Sequence, residues 1–264
     1  MPADPTIYRS IRMAQAYASS RPPVHRSICR RFMERISAVT RISTALDAGC
    51  GAGASTAALL PHLDRLVGLD PSPEMIRQAA AAVTGASFVL GRLEALPFET
   101  STFQLVSTAG ALNYADVGTA LAEIHRVLVP NGWLAAYDFS GGQRLSAGPH
   151  LGAAHAEFRA RFPSSPGYAL ELKTLAFTQA GLTRVAHDAF SIEVPMTTDA
   201  YVRYLLGDSG VEMAVHAGAN EIDITKFCLD LFSPIFGAAP QGVLFEAQLV
   251  LCRKPVPGST MHHR

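Results

Sequence analysis

Short apolar segments alternate with helical patterns along the middle of the chain, from Ser43 to Ser140. Five of the segments have the pattern of strands: TALDAG, RLVGLD, ASFVLG, FQLVSTAG and WLAAYDFS. Helical segments begin at Ser55 and Pro73, and a third begins at Val117. Strands that take turns with helices pair in parallel through right-handed crossovers. The pattern therefore predicts an open α/β sheet with helices on both faces, and ligands in such folds bind at the carboxyl ends of the strands.

Helical patterns also precede and follow this core. The sequence predicts two helices at the start, over residues 11–19 and 24–39, on either side of a Pro-Pro break. After Ser140 it predicts a helix over 168–180 ended by Gly181, a strand over 189–194 and a helical region over 198–236. The last strand, VLFEAQLVLC, follows without room for a further crossover helix, so it is expected to be antiparallel.

These patterns divide the chain into five parts. We expect an N-terminal helical cap over residues 1–41, an α/β core that binds the cofactor over 42–194, and a helical insertion over 195–241 that forms a lid over the acceptor. Residues 242–256 supply the final strand of the core, and 257–264 form a tail.

Composition excludes several classes of protein. Of the 264 residues, 48% are hydrophobic and 17% are charged, which is typical of a globular domain. The 22 basic residues balance the 22 acidic ones, so no overall positive field exists to hold nucleic acid or a membrane surface. No run of 18 apolar residues and no secretory leader pattern is present, and the four cysteines are widely spaced. We therefore expect a cytoplasmic protein without disulfides, and the oligomeric state stays open.

A glycine-rich turn follows the first predicted strand. In ALDAGCGAGAS, Gly49, Gly51 and Gly53 stand where the backbone turns sharply and lets a ligand approach closely. With Ala54 as the last small residue and Asp70 placed 21 residues after Gly49, the turn also fits the dinucleotide-binding fingerprint. The glycines alone narrow the ligand to a nucleotide-like compound.

Two acidic residues refine this interpretation. Asp47 precedes the first glycine by two residues, and a carboxylate about 4 Å from a phosphate costs about 1 kcal/mol in water and more when desolvated. S-adenosylmethionine is cationic and carries no phosphate, so the acid favours it over NAD. Asp70 ends the second strand, where a carboxylate accepts hydrogen bonds from both ribose hydroxyls, although it also suits a cap of the next helix.

The motifs DAGCGAG, GLDPSPEMI, GRLEALPF, FQLV and HRVLVPNG follow one another in order, after an opening AYASSRPP. In this, the stretch from Tyr17 to Ser140 resembles the class I S-adenosylmethionine-dependent methyltransferases, in particular the small-molecule group of ubiquinone and menaquinone biosynthesis. The resemblance implies a Rossmann-like αβα sandwich in three layers, with a seven-stranded, mostly parallel sheet and an antiparallel last strand.

The resemblance also implies the cofactor contacts. Asp47 would meet the methionine ammonium directly or through water, Asp70 would hold the ribose, and Tyr17 and Arg21 would close over the methionine end. The other implied cofactor-binding residues are Gly49, Cys50, Gly51, Gly53, Pro71, Ser72, Met75, Leu93, Glu94 and Ala109. Arg92 departs from the family pattern, because relatives place an acid there to accept the adenine amino group.

The acceptor end is less determined. Asn113 and Tyr114 follow the fourth strand, where relatives place one or two histidines, and Asp138 follows the fifth, so these three are the candidate catalytic residues. His150 and His155 are not spaced to share a helix face, so no metal is expected. We expect methyl transfer to oxygen, nitrogen or carbon of a small aromatic or apolar acceptor. A nicotinamide oxidoreductase and a cofactor-binding module without turnover are the alternatives.

Overall fold

A computed structural model describes residues 10–147, 151–163 and 170–256, apart from the side chains of residues 17–19. Eight strands form one sheet in the described residues. They are β1 (Thr44–Ala48), β2 (Arg65–Asp70), β3 (Ser87–Leu90), β4 (Phe103–Ala109), β5 (Leu128–Phe139), β6 (Arg144–Leu145), β7 (Thr183–Met196) and β8 (Gln241–Arg253).

The sheet has the order β3-β2-β1-β4-β5-β8, with β7 on the other edge of β8. The first five strands pair in parallel, and β8 pairs antiparallel with both β5 and β7. The prediction of a mostly parallel sheet with an antiparallel last strand is confirmed. The sheet holds one strand more than expected, because the two-residue β6 also pairs antiparallel with β8.

Nine α-helices surround this sheet in the described part of the chain. They are α1 (Ile11–Ser20), α2 (Val24–Ser37), α3 (Ala54–Leu59), α4 (Pro73–Ala82), α5 (Val117–Val127), α6 (Gly152–Arg161), α7 (Thr198–Leu206), α8 (Ser209–His216) and α9 (Glu221–Phe236). No helix among the described residues is long and apolar enough to cross a bilayer.

The two faces of the sheet carry separate apolar clusters. On one face, α2 buries Ile28 and Phe32 in the same cluster as Leu105 and Tyr137 of the sheet. On the other face, α5 packs through residues such as Ile124. Because the central strands are buried on both faces, their sequences are nearly continuous apolar runs. The carboxyl ends of these strands form the open edge of the core.

Two segments after β5 differ from the predicted pattern. The helix predicted over 168–180 is wrong: two short 3₁₀ turns, Leu172–Thr174 and Phe177–Ala180, are formed there, and residues 168 and 169 lie outside the described chain. Leu172 and Phe177 are buried in the α5 cluster, a spacing of five that does not follow one face of an α-helix. Gly181 does end the second turn, in a left-handed conformation. The helix α6 was not predicted.

The N-terminal helix α1 packs over the glycine turn. Its Met13 and Ala14 share a small apolar cluster with Ala52 of the turn and Met75 of α4. A buried ion pair fixes the outer side of α1 to α8: the Arg12 guanidinium and the Ser10 hydroxyl both donate to the Glu212 carboxylate, whose side chain is 6% exposed.

This ion pair gives a first prediction. Arg12→Leu is expected to lower the free energy of unfolding by about 2 kcal/mol, because it leaves the Glu212 carboxylate buried with a single donor. Arg77→Leu is the matched control, since Arg77 pairs with Glu74 on the surface and is 64% exposed, so a loss below about 0.5 kcal/mol is expected. Urea denaturation measures both. Equal losses in the two variants would contradict the buried ion pair.

Candidate functional site

A cleft opens at the carboxyl ends of β1, β2, β4 and β5. It contains about 1150 Å³ of empty space, a volume that includes the open solvent at its mouth. The residues that line it are Arg21, His25, Gly49, Asp70, Pro71, Ser72, Arg92, Leu93, Glu94, Ala109, Gly110, Ala111, Tyr114, Ala115, Asp138 and Phe139.

The glycine turn lies beside the cleft, and its first glycine, Gly49, is part of the cleft lining. Gly49 and Gly51 have positive φ angles of 80° and 53°, in the left-handed region that favours glycine. A Cβ on Gly49 would overlap the Cβ of Ala111, whereas a Cβ on Gly51 would meet no atom within 4 Å. The turn therefore packs tightly against Ala111 at Gly49 and leaves open space beside Gly51.

The backbone N–H groups of this turn are already engaged. Those of Gly49 and Cys50 donate to the Leu69 carbonyl at 2.7 and 2.9 Å, and that of Gly53 donates to the Cys50 carbonyl at 3.0 Å. The N–H of Gly51 donates to Asp70 Oδ2 at 3.0 Å. A turn of this kind holds a dinucleotide pyrophosphate through free N–H groups. In this protein these four N–H groups instead donate to acceptors of the protein itself.

Asp47 lies beneath the turn and is fully buried. Its Oδ2 accepts hydrogen bonds from Ser55 Oγ at 2.6 Å and Thr56 Oγ1 at 2.7 Å, both on α3. Its Oδ1 has no partner in the described part of the chain. Burial raises the pKa of Asp47 to about 6, the two hydroxyls lower it, and the charge of Asp70 raises it. An unpartnered buried carboxylate oxygen is costly and invites a donor or a cation.

Asp70 stands at the end of β2, and the residue is 9% exposed in the wall of the cleft. Besides Gly51, it accepts a hydrogen bond from the Ser72 N–H at 2.9 Å through Oδ1. Burial raises its pKa, and these two N–H donors oppose the rise. Ser72 in turn caps α4 by accepting from the Met75 N–H. Asp70 therefore connects the turn to α4 and keeps further lone pairs for hydroxyl donors.

Arg92, Leu93 and Glu94 line the opposite end of the cleft. The Arg92 side chain is 62% exposed, and its Nε lies 3.6 Å from Glu94 Oε2. Glu94 Oε1 accepts from the Asp116 N–H at 3.0 Å. Glu94 thus lies between the Arg92 side chain and the backbone at Asp116.

The acceptor end contains the three candidate catalytic residues in two different settings. Asp138 and Tyr114 line the cleft, whereas Asn113 is buried behind it. Asn113 Nδ2 donates to Asp138 Oδ2 and to the Gly110 carbonyl, both at 3.0 Å. Asn113 Oδ1 accepts from the Leu170 N–H at 3.1 Å. Asn113 therefore holds Asp138 and the chain around it in place.

A second prediction concerns this amide. Asn113→Leu is expected to lower the free energy of unfolding by about 2 kcal/mol, because three hydrogen bonds are lost and buried polar groups lose their partner. It is expected to leave binding of S-adenosylhomocysteine within about threefold, since Asn113 does not line the described cleft. Denaturation and calorimetry measure the two effects. A loss of binding without a loss of stability would place Asn113 at the ligand instead.

His25 and Phe139 also line the cleft, and the sequence analysis missed both. His25 Nδ1 lies 2.8 Å from Tyr137 Oη, and its ring packs edge-on against Phe139 with centroids 5.2 Å apart. Burial, and then the charge of Arg21, lowers the pKa of His25 to about 3. Tyr137 lies 112 positions later in the chain, so no local sequence signal marks His25.

The remaining predicted residues lie around the cleft rather than in its lining. These are Asp47, Cys50, Gly51, Gly53 and Met75. The side chain of Tyr17, like His150, lies outside the described residues. His155 is buried in the core, where its Nε2 bonds the Tyr201 hydroxyl. No cluster of three or more possible metal ligands exists among the described residues.

Comparison with known proteins agrees with this geometry. Residues 46–136, from β1 to the middle of β5, match the family described as a methyltransferase domain. An uncharacterized methyltransferase of Synechocystis is 38% identical over 96 residues, which cover 35% of this chain and 45% of the relative. A malonyl-[acyl-carrier protein] O-methyltransferase of Dechloromonas aromatica is 34% identical over 137 residues, which cover 51% of this chain and 50% of the relative.

A solved structure of a candidate type II methyltransferase from Anaeromyxobacter dehalogenans shares the fold, with a TM-score of 0.64 and 21% identity. That match covers 87% of this chain and 95% of the other. The chain spans about half or less of the length of the curated relatives it matches. The domain match and these relatives are thus all similarities to methyltransferases. They do not single out the group of quinone biosynthesis.

Proposed function

We propose that this chain is an S-adenosylmethionine-dependent methyltransferase that acts on a small-molecule acceptor. The observation that carries the proposal is the state of the glycine turn: two carboxylates, Asp47 and Asp70, adjoin it, and four of its N–H groups are engaged within the protein. Such a turn repels a pyrophosphate and attracts a cationic ligand without phosphate.

The residues present fit this cofactor. The Asp47 carboxylate has an oxygen without a partner in the described chain, which suits the methionine ammonium directly or through one water molecule. The open space above Gly51 lets a ligand lie against the backbone. Asp70 would take the ribose hydroxyls, with Pro71, Ser72 and Met75 shaping the pocket beside them.

The rest of the cleft is assigned in the same way. Leu93 and Glu94 would contact the adenine, with Glu94 accepting from its amino group in place of the family acid. Arg21 would pair with the methionine carboxylate, and Ala109 would line the path between that carboxylate and the acceptor. Asp138 and Tyr114 would face the acceptor, with Asn113 positioning Asp138.

When bound, the cofactor supplies a methyl group on a good sulfonium leaving group. The contribution of the chain is alignment and exclusion of water. The helix α1, which packs over the glycine turn, and the helices α7 to α9 between β7 and β8 would close the cleft over both ligands. In this proposal residues 1–41 act as a cap and residues 195–241 as the acceptor lid.

The two alternatives lead to different measurements. A nicotinamide oxidoreductase is disfavoured by the carboxylates and by the engaged N–H groups of the turn. A binding module without turnover has the same cofactor site. Several relatives methylate an acyl group that is carried on a protein, so acceptors linked to a carrier belong in the substrate panel for this chain.

Isothermal titration calorimetry with S-adenosylmethionine, S-adenosylhomocysteine and NADH tests the proposal. We expect micromolar binding of the first two and no heat with NADH. Asp70→Ala is expected to weaken S-adenosylhomocysteine binding about 100-fold, because two hydroxyl contacts to a carboxylate are lost. Asp64→Ala is the control, since Asp64 is 60% exposed and remote from the cleft lining. A folded protein that binds only NADH would refute the proposal.

A further inference from the structure

His25 is fixed at one ring nitrogen and open at the other. Its Nδ1 contacts Tyr137 Oη at 2.8 Å, and the edge of Phe139 holds the plane of the ring. Its Nε2 has no hydrogen-bond partner within the described chain and is not among the buried unpartnered atoms. The residue lines the cleft together with Asp138 and Phe139, so Nε2 is the ring nitrogen that remains available to a ligand there.

The neighbours of Tyr137 determine where the imidazole proton sits. Tyr137 Oη lies 3.8 Å from Cys29 Sγ, and burial raises the pKa values of both the phenol and the thiol, so both groups keep their protons. A phenol is the stronger donor, and sulfur is a weak acceptor. The favourable arrangement is therefore a Cys29 S–H bond to the Tyr137 oxygen and a Tyr137 O–H bond to Nδ1. An Nδ1 that accepts leaves the proton of the neutral ring on Nε2.

The charges around His25 keep the ring neutral. Burial and the Arg21 cation lower its pKa to about 3. The titratable and charged groups that face this region are Arg21 before α2, Cys29 on α2, Tyr137 and Asp138 on β5, Asp47 on β1 and Tyr204 on α7. At neutral pH, His25 thus presents an N–H donor and does not take up a proton.

We propose that His25 contacts the acceptor, that its Nε2–H donates a hydrogen bond to the acceptor oxygen, and that this oxygen reacts as an anion. The inference rests on the proposed function and makes the chain an O-methyltransferase for an oxygen acid. The bond between that oxygen and the methyl carbon forms while the carbon–sulfur bond breaks, and its electron pair goes to sulfur, which becomes a neutral thioether. The proton of His25 stays in place. The oxyanion belongs either to a carboxylate or to a phenol or enol that has lost its proton to solvent.

The first test reads the tautomer without any turnover. Long-range ¹H–¹⁵N NMR of the labelled full chain, with S-adenosylhomocysteine added, is expected to show His25 as the Nε2–H tautomer, unchanged from pH 8 to pH 5. Tyr137→Phe removes the donor to Nδ1 and is expected to mix the two tautomers. An Nδ1–H tautomer in the wild type, or a titration near the ordinary histidine pKa, would overturn the inference.

The second test identifies the methylated atom. The protein is incubated with ¹³C-methyl S-adenosylmethionine, a panel of carboxylic acids, phenols, β-dicarbonyl compounds and amines, and a metabolite extract. We expect new ¹³C signals in the range of methoxy carbons. Mild alkali distinguishes the two sources, since methyl esters release methanol and aryl or enol ethers of the panel retain the label. A product labelled on nitrogen or carbon would refute this inference and leave the proposed function intact, whereas the absence of any product would contradict the proposed function itself.

Substitutions of His25 distinguish a hydrogen-bond donor from a ring that only fills space. His25→Phe is expected to lower kcat/KM about 100-fold, because the donor to a charged oxygen is lost. His25→Gln places an amide N–H near the position of Nε2 and is expected to stay within about tenfold of the wild type. His187→Gln is the control, since His187 is exposed on β7. Equal losses for Phe and Gln at matched thermal stability would refute the donor role.

Discussion

Asp47→Asn is expected to make the ligand-free protein more stable at pH 8 and to weaken its binding of S-adenosylhomocysteine. The carboxyl is fully buried, and its pKa is raised to about 6 from the ordinary 3.8. Because the pKa of Asp47 is higher in the folded than in the unfolded state, the protonated carboxyl stabilises the folded state fully below about pH 4. This stabilisation is lost as the pH rises through 6. Ionisation of Asp47 at neutral pH thus lowers the free energy of unfolding by about 3 kcal/mol. A neutral amide of the same shape does not ionise and avoids this loss.

The binding effect has the opposite sign. If the Asp47 carboxylate meets the methionine ammonium, its removal is expected to weaken binding about 10- to 100-fold. In the wild type, affinity is expected to rise from pH 5 to pH 7 as Asp47 ionises. The asparagine variant is expected to lose this part of the rise and to keep only the contribution of Asp70, whose pKa is also raised. Calorimetry across this pH range measures the profile.

The control and the contradicting results are direct. Asp64→Asn removes an exposed carboxylate and is expected to change neither property measurably. The difference in unfolding free energy between Asp47→Asn and the wild type is expected to vanish at pH 4. A difference that stays constant from pH 4 to pH 8 would show that packing, not ionisation, is responsible, and unchanged binding would remove Asp47 from the cofactor site.

The sheet was predictable because its signals are local. Each parallel strand is short, apolar and bounded by turn residues, so β1 to β4 and their connecting helices lie within a few residues of their predicted limits. The antiparallel β8 followed from the short connection that precedes it. The segment that became two 3₁₀ turns was predicted wrongly because Leu172 and Phe177 are buried by contacts of the two turns with β5, β8 and α5, which no window of the sequence contains.

The site residues likewise divide into those with a local sequence signal and those without one. Gly49 of the glycine turn, Asp70 and Asp138 stand at strand ends that the pattern locates, and the structure brings these three residues together in the cleft lining. Asp47 was expected at the mouth of the turn and lies buried beneath it, since Ser55 and Thr56 draw its carboxylate toward α3. His25 acquires its role from Tyr137 and Phe139 on β5, so its identity as a site residue depends on tertiary contacts alone.

The first two of the three glycines of the turn give the largest expected contrast between substitutions. Gly49→Ala is expected to prevent stable folding or to cost more than about 3 kcal/mol, because the new Cβ would overlap Ala111 and the backbone is held at a positive φ of 80°. Gly51→Ala introduces a Cβ into empty space and adds only the backbone strain of about 1 kcal/mol. The alanine at position 51 is therefore expected to leave a folded protein.

A binding measurement on Gly51→Ala then tests whether the cofactor occupies the open space beside Gly51. If the cofactor lies against Gly51, the alanine methyl displaces it, and Gly51→Ala is expected to weaken S-adenosylhomocysteine binding about 10- to 100-fold. Gly218→Ala is the matched control, because Gly218 also has a positive φ and open surroundings but lies between α8 and α9, outside the glycine turn. Calorimetry on the three variants, with thermal melting to score folding, separates the effects. A folded Gly51→Ala protein with wild-type affinity would move the cofactor away from the glycine turn, because no ligand that lies against the backbone at Gly51 can tolerate a methyl group there.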